Sequence, residues 1–312
     1  MKKTRIGLFG ALDFLAISLG IATLLGLLGR FVWFFDLFSH FRVQYMQLCL
    51  PLVGIALWKR MNQRAVAIIL LALLNYAFVL PLYFGKPDPG TGKPIRAMLM
   101  NLNAGNGNTE QVLGAIREAN PDLLLLEEVT PKWAAELAVL DSDYAYRIAE
   151  PQEGCFGIMM ISKYPLEHAT VVEIGTAGVP TIIAEGHFPQ GTVSIIGTHP
   201  LPPIGATYSS HRNSQLADLP YVAQKQKHPV LLLGDLNVTP FSYWFRRVTE
   251  MGLKNSMKGF GFQPTWPANN RFLRIPLDHV LHSPEITIHN RMVGGDVGSD
   301  HFPVMVDFSV SN

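Results

Sequence analysis

Six short runs in this 312-residue chain join apolar residues to side chains that can do chemistry. They are Met98-Leu99-Met100-Asn101, Leu123-Leu124-Leu125-Leu126-Glu127-Glu128, Ile195-Ile196-Gly197-Thr198-His199, Leu231-Leu232-Leu233-Gly234-Asp235-Leu236-Asn237, Ile275-Pro276-Leu277-Asp278-His279 and Gly298-Ser299-Asp300-His301. In the first five, an apolar stretch runs straight into carboxylates, amides or imidazoles. The sixth stands just before the last apolar stretch. Such groups at the ends of rigid strands can converge on one mouth. Oxygen donors of this kind suit Mg²⁺, and Mn²⁺ as well. A cation of that class neutralises phosphoryl oxygens and helps make a nucleophile of water, so phosphate-ester hydrolysis is the chemistry these residues fit. Asp235 can take a proton from water acidified in this way. A protonated His301 can offset the charge of a pentavalent phosphate. Which group acts as the base is left open by the sequence.

Each run taken alone has an ordinary explanation. Asp-x-Asn after a strand is usually a turn, because both side chains bond nearby backbone. A lone Glu-Glu is usually a surface pair, and a lone Asp-His a satisfied hydrogen-bonded pair. Six such runs within one stretch of about two hundred residues are hard to explain separately.

The elements that must hold these groups follow from the apolar pattern. Ile95–Leu102 and Asp122–Leu126 read as buried strands, with a helix at Thr109–Ala119 capped by Asn108 or Thr109. Pro131–Leu140 reads as a second helix, with Pro131 suited to its first turn. The β-prone runs Gly157–Ile161, Ala169–Ile174, Thr181–His187 and Val193–Thr198 follow, separated by turn residues. Ser209–Gln224 and Phe241–Glu250 read as helices. Val230–Leu233, Leu277–Leu281, Glu285–Met292 and Val304–Val310 read as strands. Many short strands with few helices point to an α/β fold of two packed sheets with helices outside.

The first third of the chain has a different character. Residues 1–84 hold eight basic and two acidic side chains, a net +6, leaving 17 basic and 22 acidic in 85–312, a net −5. The runs 6–29, 43–58 and 65–84 are apolar or nearly uncharged. A spanning helix needs about 20 apolar residues, which the first and third supply and the second narrowly misses. Phe31, Trp33, Phe34 and Phe35 between the first two suit a membrane interface. The first run is too long for a signal peptide and lacks a small-x-small site, so retention in the membrane is expected. Asp13, near one end of the first run, is within reach of headgroups. Lys2, Lys3 and Arg5, then Lys59, Arg60 and Arg64, belong on the cytoplasmic side by the positive-inside rule. Three spans then place the rest on the non-cytoplasmic face of the inner (plasma) membrane. Residues 85–94, rich in Gly and Pro, read as a linker to a domain at 95–312. Cys49 and Cys155 lie on opposite sides of this boundary. Both read as small buried hydrophobes rather than a disulfide.

The order Asn101, Glu128, His199, Asp235-x-Asn237, Asp278 and Ser299-Asp300-His301 resembles the endonuclease/exonuclease/phosphatase superfamily over about residues 95–310. That resemblance implies the deoxyribonuclease-I-like fold, a four-layer α/β sandwich of two packed mixed β-sheets flanked by helices. It implies metal binding by Glu128, with Asn101 and Asp300 in the metal region. It makes Asp235 the residue that orients and deprotonates water, and Asn237 its partner at the phosphate. His199 and His301 would contact phosphate oxygens, with Asp278 or Asp300 orienting His301. This chain departs from the family in having Glu127 where glutamine is common, and Asn103 competes with Asn101. Arg212, Arg271 and Arg274 are candidate phosphate clamps, and Trp266 a residue for stacking or packing.

The family includes nucleases, inositol-phosphate phosphatases and sphingomyelinase-type phospholipases, so the fold does not select the substrate. A net −5 and no Lys/Arg run argue against duplex DNA, whose binding rests on phosphate contacts. Two readings remain: a nuclease-like phosphodiesterase, and a phospholipase-C-like or phosphoinositide-phosphatase-like enzyme acting on lipid headgroups. A non-catalytic binding module ranks below both, because Glu128, Asp235 and His301 are all present. No protein partner is inferred.

Overall fold

The computed structural model describes residues 7–86 and 94–310. Most of the expected linker, and Lys2, Lys3 and Arg5, lie outside the described residues. The chain divides into two compact units, Met1–Pro81 with Phe241–Tyr243, and Leu82–Pro240 with Trp244–Asn312.

The first unit is helical: α1 Leu8–Leu27, α2 Trp33–Leu37, α3 Arg42–Trp58 and α4 Asn62–Val79, the last running into a 3₁₀ turn at Leu80–Tyr83. The stretches Phe9–Leu27 and Asn62–Tyr83 are long and apolar enough to cross a membrane. The 17 residues of α3 fall short of that length. Phe14, Ile17, Leu24 and Leu70 stand exposed on α1 and α4, as a lipid-facing surface would have them. Between α1 and α3 the sequence reading placed only interfacial rings; the structure folds Trp33–Leu37 there as a short helix.

Polar groups inside this unit pair with one another, as burial demands. Arg42 is fully buried, and its guanidinium donates to the Thr23 carbonyl and to Asn75 Oδ1, both at 3.1 Å. Asn75 Nδ2 donates to Thr23 Oγ1 at 3.0 Å, and the Arg42 guanidinium lies 4.6 Å above the Phe78 ring. Gly26 makes room for this: a Cβ there would sit 2.9 Å from Arg42 Nη2 and from the Ser39 amide. Asp13 accepts two bonds from Arg64, at 2.6 and 2.9 Å, which tie α1 to α4.

The second unit contains two six-stranded sheets. One runs β11-β12-β1-β2-β4-β3 and the other β5-β6-β7-β8-β10-β9. The ranges are β1 Ile95–Asn101, β2 Leu123–Glu127, β3 Tyr146–Glu150, β4 Ile158–Ser162, β5 Leu166–Glu173 and β6 Pro180–Phe188. They continue with β7 Gly191–Thr198, β8 Val230–Asp235, β9 Lys254–Asn255, β10 Asp278–His282, β11 Ile286–Val293 and β12 Val304–Val310. The helices are α5 Thr109–Ala119, α6 Pro131–Glu136, α7 Ala206–Gln224 and α8 Tyr243–Thr249.

Alternation along the strands explains why β1, β2 and β8 read as unbroken apolar runs: both faces are buried. Ala97, Leu99, Leu123, Leu125, Leu231 and Leu233 fill the core between the sheets. Met98, Met100, Leu124 and Leu126 face α5 and α6, where Val112, Ile116 and Trp133 meet them. Leu232 and Val230 face Leu216 and Leu219 of α7. The result is helix, sheet, sheet, helix, the layering that the sequence motifs imply.

Two parallel pairs matter most for function. β1 pairs in parallel with β2 across α5, and β7 with β8 across α7. Within each sheet, the two strands of the pair therefore end at the same edge. β10 runs antiparallel to β8 and begins there, with Asp278 in register with Asp235. β12 runs antiparallel to β1, so Ser299-Asp300-His301 arrive beside the end of β1. The sequence reading missed β3, β9 and α2.

Candidate active site

Asn101, Glu127, Asp235 and Asp278 occupy strand ends, and Glu128, His199, Asn237, Asp300 and His301 lie within a few residues of one. Glu128 and Asn237 both have left-handed backbone, with φ of 58° and 50°. A glutamate pays for that conformation sterically, which is a mark of a functional constraint. Gly234 is needed for close strand approach: a Cβ there would meet the Thr198 carbonyl oxygen at 1.9 Å.

Asp235 is the hub. Its Oδ1 accepts from the Asn237 amide at 2.9 Å. Its Oδ2 lies 3.5 Å from His199 Nε2, 3.6 Å from His301 Nε2 and 3.4 Å from Asn101 Nδ2. Asn101 Nδ2 also donates to Glu128 Oε1 at 3.1 Å, while its Oδ1 accepts from the Asn103 amide at 3.0 Å. The Asn101 amide thus positions Glu128 through an N–H. Glu128 Oε2 accepts from the Ala104 amide at 2.8 Å.

Asp278, rather than Asp300, orients His301: its Oδ2 lies 2.9 Å from His301 Nδ1. The carboxylate of Asp300 accepts from Asn103 Nδ2 at 2.7 Å and from the Trp266 indole at 2.9 Å. Trp266 therefore neither stacks freely nor merely packs; it clamps Asp300, and its ring centroid is 6.3 Å from that of His301. Asn103 belongs to the site through the same carboxylate. Arg212 is fully buried and donates to the Asn237 carbonyl at 3.0 Å, supporting the loop from below. Arg274 donates to the carbonyls of Pro267 and Ala268, and Arg271 lies over Phe272. Asn237 Nδ2 donates to the Pro200 carbonyl at 3.0 Å and lies 3.4 Å from His199 Nε2.

Glu127 does not face away. It is fully buried, and both its oxygens accept from the Asp235 amide, at 3.2 and 3.0 Å. Cys155 is exposed, against expectation, because it sits in the turn before β4 and not in the core. Burial first, then the nearby Glu128 and Asp300, push its thiol above the usual range.

The electrostatics separate acids from bases. Burial alone would lower the His301 imidazolium, but Asp278, Asp235 and Asp300 outweigh it and raise it to about 10. His199 is likewise disfavoured by burial, yet Asp235 and Glu127 raise it to about 9. Burial works to raise Asp235, but the two imidazolium charges and the Asn237 N–H hold it below the usual carboxylate range. Burial pushes Glu127 up to about 8, with Asp235 and Asp278 adding to the rise against His199. At neutral pH the centre is then an ionised aspartate between two imidazolium rings.

The donor set fits a divalent cation. Ligand atoms of Asp235, Asp278 and His301 lie within 4.8 Å of one another. Asp278 Oδ1 is buried without a hydrogen-bond partner. Glu128 adds a third carboxylate, held by Asn101.

His279 has the opposite character. Burial lowers it to about 4, with Arg291 helping against the Val238 carbonyl 2.8 Å from Nε2. The folded state therefore binds this proton less readily than the unfolded chain, whose histidine titrates near 6.5. The contribution of neutral His279 is complete above 6.5 and is lost as pH falls towards 4, amounting to about 3 kcal/mol. The thermal midpoint of the full chain in detergent should drop between pH 7.5 and 5, and drop less in His279→Gln. Equal drops would refute it.

Carboxylates, amides and imidazoles at one edge of a two-sheet α/β sandwich define a phosphoester-hydrolase class of enzyme. The chain belongs to the Endonuclease/Exonuclease/phosphatase family, whose model matches residues 98–301. It is an enzyme of phosphoric-ester hydrolysis, in a family that generally depends on divalent metals. No curated protein sequence matches the chain. Among solved structures, D. rerio TDP2 complexed with single strand DNA product is 16% identical, covering 70% of this chain and 100% of its own at a TM-score of 0.61. The human Nocturnin catalytic domain with bound sulfate is 19% identical, with coverage of 71% and 96% and a TM-score of 0.59. The 3′ phosphatase NExo from Neisseria, bound to product DNA hairpin, is 17% identical, with coverage of 69% and 99% and a TM-score of 0.58. These likenesses establish the fold.

Proposed function

We propose that the protein is a membrane-anchored, divalent-metal-dependent phosphodiesterase that hydrolyses its substrate by in-line attack of water. The observation that carries this reading is the placement of Asp235 Oδ2 within 3.6 Å of two imidazoles and of the amide that holds Glu128. Glu128 is the metal-binding carboxylate, positioned by Asn101. Asp300 borders the same region and fixes Asn103 and Trp266. When bound, Mg²⁺ or Mn²⁺ supplies charge neutralisation at the phosphoryl oxygens and a lowered pKa for water. Asp235 accepts the proton of the attacking water and is aimed by the Asn237 N–H. His301, held by Asp278, and His199 present N–H donors to the phosphoryl oxygens as charge builds on them. Asn237 is placed beside them to contact the same phosphate.

The apolar runs 6–29, 43–58 and 65–84 are read as three spans, with the catalytic domain on the non-cytoplasmic face. The cluster Lys59, Arg60 and Arg64 between the second and third supports this orientation. A C-terminal reporter active only in the cytoplasm would overturn it.

The second reading, a lipid-headgroup hydrolase, is favoured by the net −5 of residues 85–312, which suits duplex DNA poorly. Two of the structural neighbours bear names that mention DNA products, which favours the nuclease-like reading. The deciding experiment incubates the full chain with single-stranded DNA, RNA, phosphoinositides, sphingomyelin and bis(4-nitrophenyl) phosphate, each with Mg²⁺ and with chelator. Cleavage that chelator abolishes is expected. Cleavage that survives chelation, or none with any phosphodiester, refutes the proposal.

A further inference from the structure

The catalytic mouth has two unlike sides. On the side of the sheet that carries β1 and β2, the loops after β1, before β4 and before β12 carry Asn103, Asn106, Asn108, Glu153 and Asp296, which are polar or acidic. On the side of the sheet that carries β7, β8 and β10, two loops end in exposed apolar residues. The loop after His199 carries Ile204, 72% exposed, and the loop before β10 carries Phe272 and Leu273, 68% and 50% exposed.

Both loops are anchored to the site. The Pro200 carbonyl accepts from Asn237 Nδ2 at 3.0 Å. The Ala268 amide donates to the Asp300 carbonyl at 2.7 Å, and Trp266 at the base of the same loop clamps the Asp300 carboxylate. Both tips therefore rise from bases tied to the reacting groups.

We propose that these two loops form a bilayer-docking surface, in which Ile204, Phe272 and Leu273 enter the headgroup–acyl boundary of an anionic membrane. Composition selects this occupant. Two of the three tip residues, Ile204 and Leu273, are aliphatic and bury well among acyl chains, whereas nucleobases would want an aromatic face at each position, which Phe272 alone offers. Exposed Arg271 stacks on Phe272 at 4.9 Å and sits where an anionic headgroup would meet it, with Arg274 at the base of the tip. The surface rests on the reading of the mouth given above and extends it: the scissile phosphate is presented at a lipid surface, and the acidic side of the rim stays in water.

The test uses the full chain with Cys155→Ser, so that no exposed native thiol remains. An environment-sensitive fluorophore is attached at Phe272→Cys, at Ile204→Cys, or at Glu118→Cys on exposed α5. Each is reconstituted in nanodiscs of phosphatidylcholine and phosphatidylglycerol, with and without brominated acyl chains. Bromine quenching and a blue shift are expected at 272 and 204, at a depth of about 5–10 Å, and not at 118. Quenching at 272 and 204 no greater than at 118 overturns the proposal. A response of those two labels to a single-stranded oligonucleotide but not to lipid overturns it as well, in favour of base stacking. The readout is contact and not turnover, so it separates from the substrate assay. A chain that cleaves no ester yet is quenched refutes the catalytic reading alone.

Discussion

Asp235→Asn should lower kcat about 10³-fold, roughly 4 kcal/mol of barrier, with little change in KM. The substitution keeps the shape of the side chain and the oxygen that accepts from the Asn237 N–H, so the loop stays in place. What it removes is the group that takes the proton, together with the negative charge between His199 and His301. Without that charge the two imidazolium groups lose a large part of what holds them near 9 and 10. The alkaline limb of the pH–rate profile should therefore move to lower pH in the variant. In the wild type, activity that needs those protons persists through neutrality and declines only as pH rises through about 9 to 10. Steady-state rates across pH check both statements. Residual kcat within tenfold of wild type would remove Asp235 from its role.

Glu128→Gln should weaken Mg²⁺ or Mn²⁺ binding by more than about 100-fold, since losing only a hydrogen-bond partner of a ligand costs about 10–100-fold in metal sites. The amide oxygen can still accept from the Ala104 N–H, and the left-handed backbone at 128 is unaltered, so the change removes the charge together with the acceptor that Asn101 Nδ2 reaches. Titration calorimetry with the metal alone reads this directly, apart from any rate. An affinity within tenfold of wild type would show that the carboxylate at 128 is not the principal ligand, and would shift attention to Asp235, Asp278 and His301.

Much of the layered fold was legible because its strands are buried on both faces. Leu123–Leu126 and Leu231–Leu233 can be nothing but core, and the polar residues that interrupt them mark where the core ends. β3 escaped because it is an edge strand, half in solvent, whose Tyr-Arg-Ile-Ala-Glu carries no alternation. β9 is two residues long and exists only by pairing with β10.

That these polar residues gather at one edge of the sheets was legible, but their pairings were not. Asp278 and Asp300 both precede histidines, and nothing in their neighbours says that only Asp278 holds His301. Asn103 and Trp266 reach Asp300 from remote parts of the chain, and no local pattern encodes such a meeting. The inward turn of Glu127 needs the second sheet behind it. Nothing local marks Arg42 for burial, because its partners, Thr23 and Asn75, lie on two other helices.

The bond between Glu127 and the Asp235 amide joins one sheet to the other at the catalytic edge. The two halves of the active centre belong to separate sheets, so their spacing is a property of how the sandwich closes. Any slackening of the sandwich, by heat, by pressure or by a cavity cut among Leu99, Leu125 and Leu233, widens the distance between Glu128 and Asp235 before any strand comes apart. On heating, turnover of a Leu125→Ala variant should therefore fall before far-ultraviolet circular dichroism registers any loss of strand.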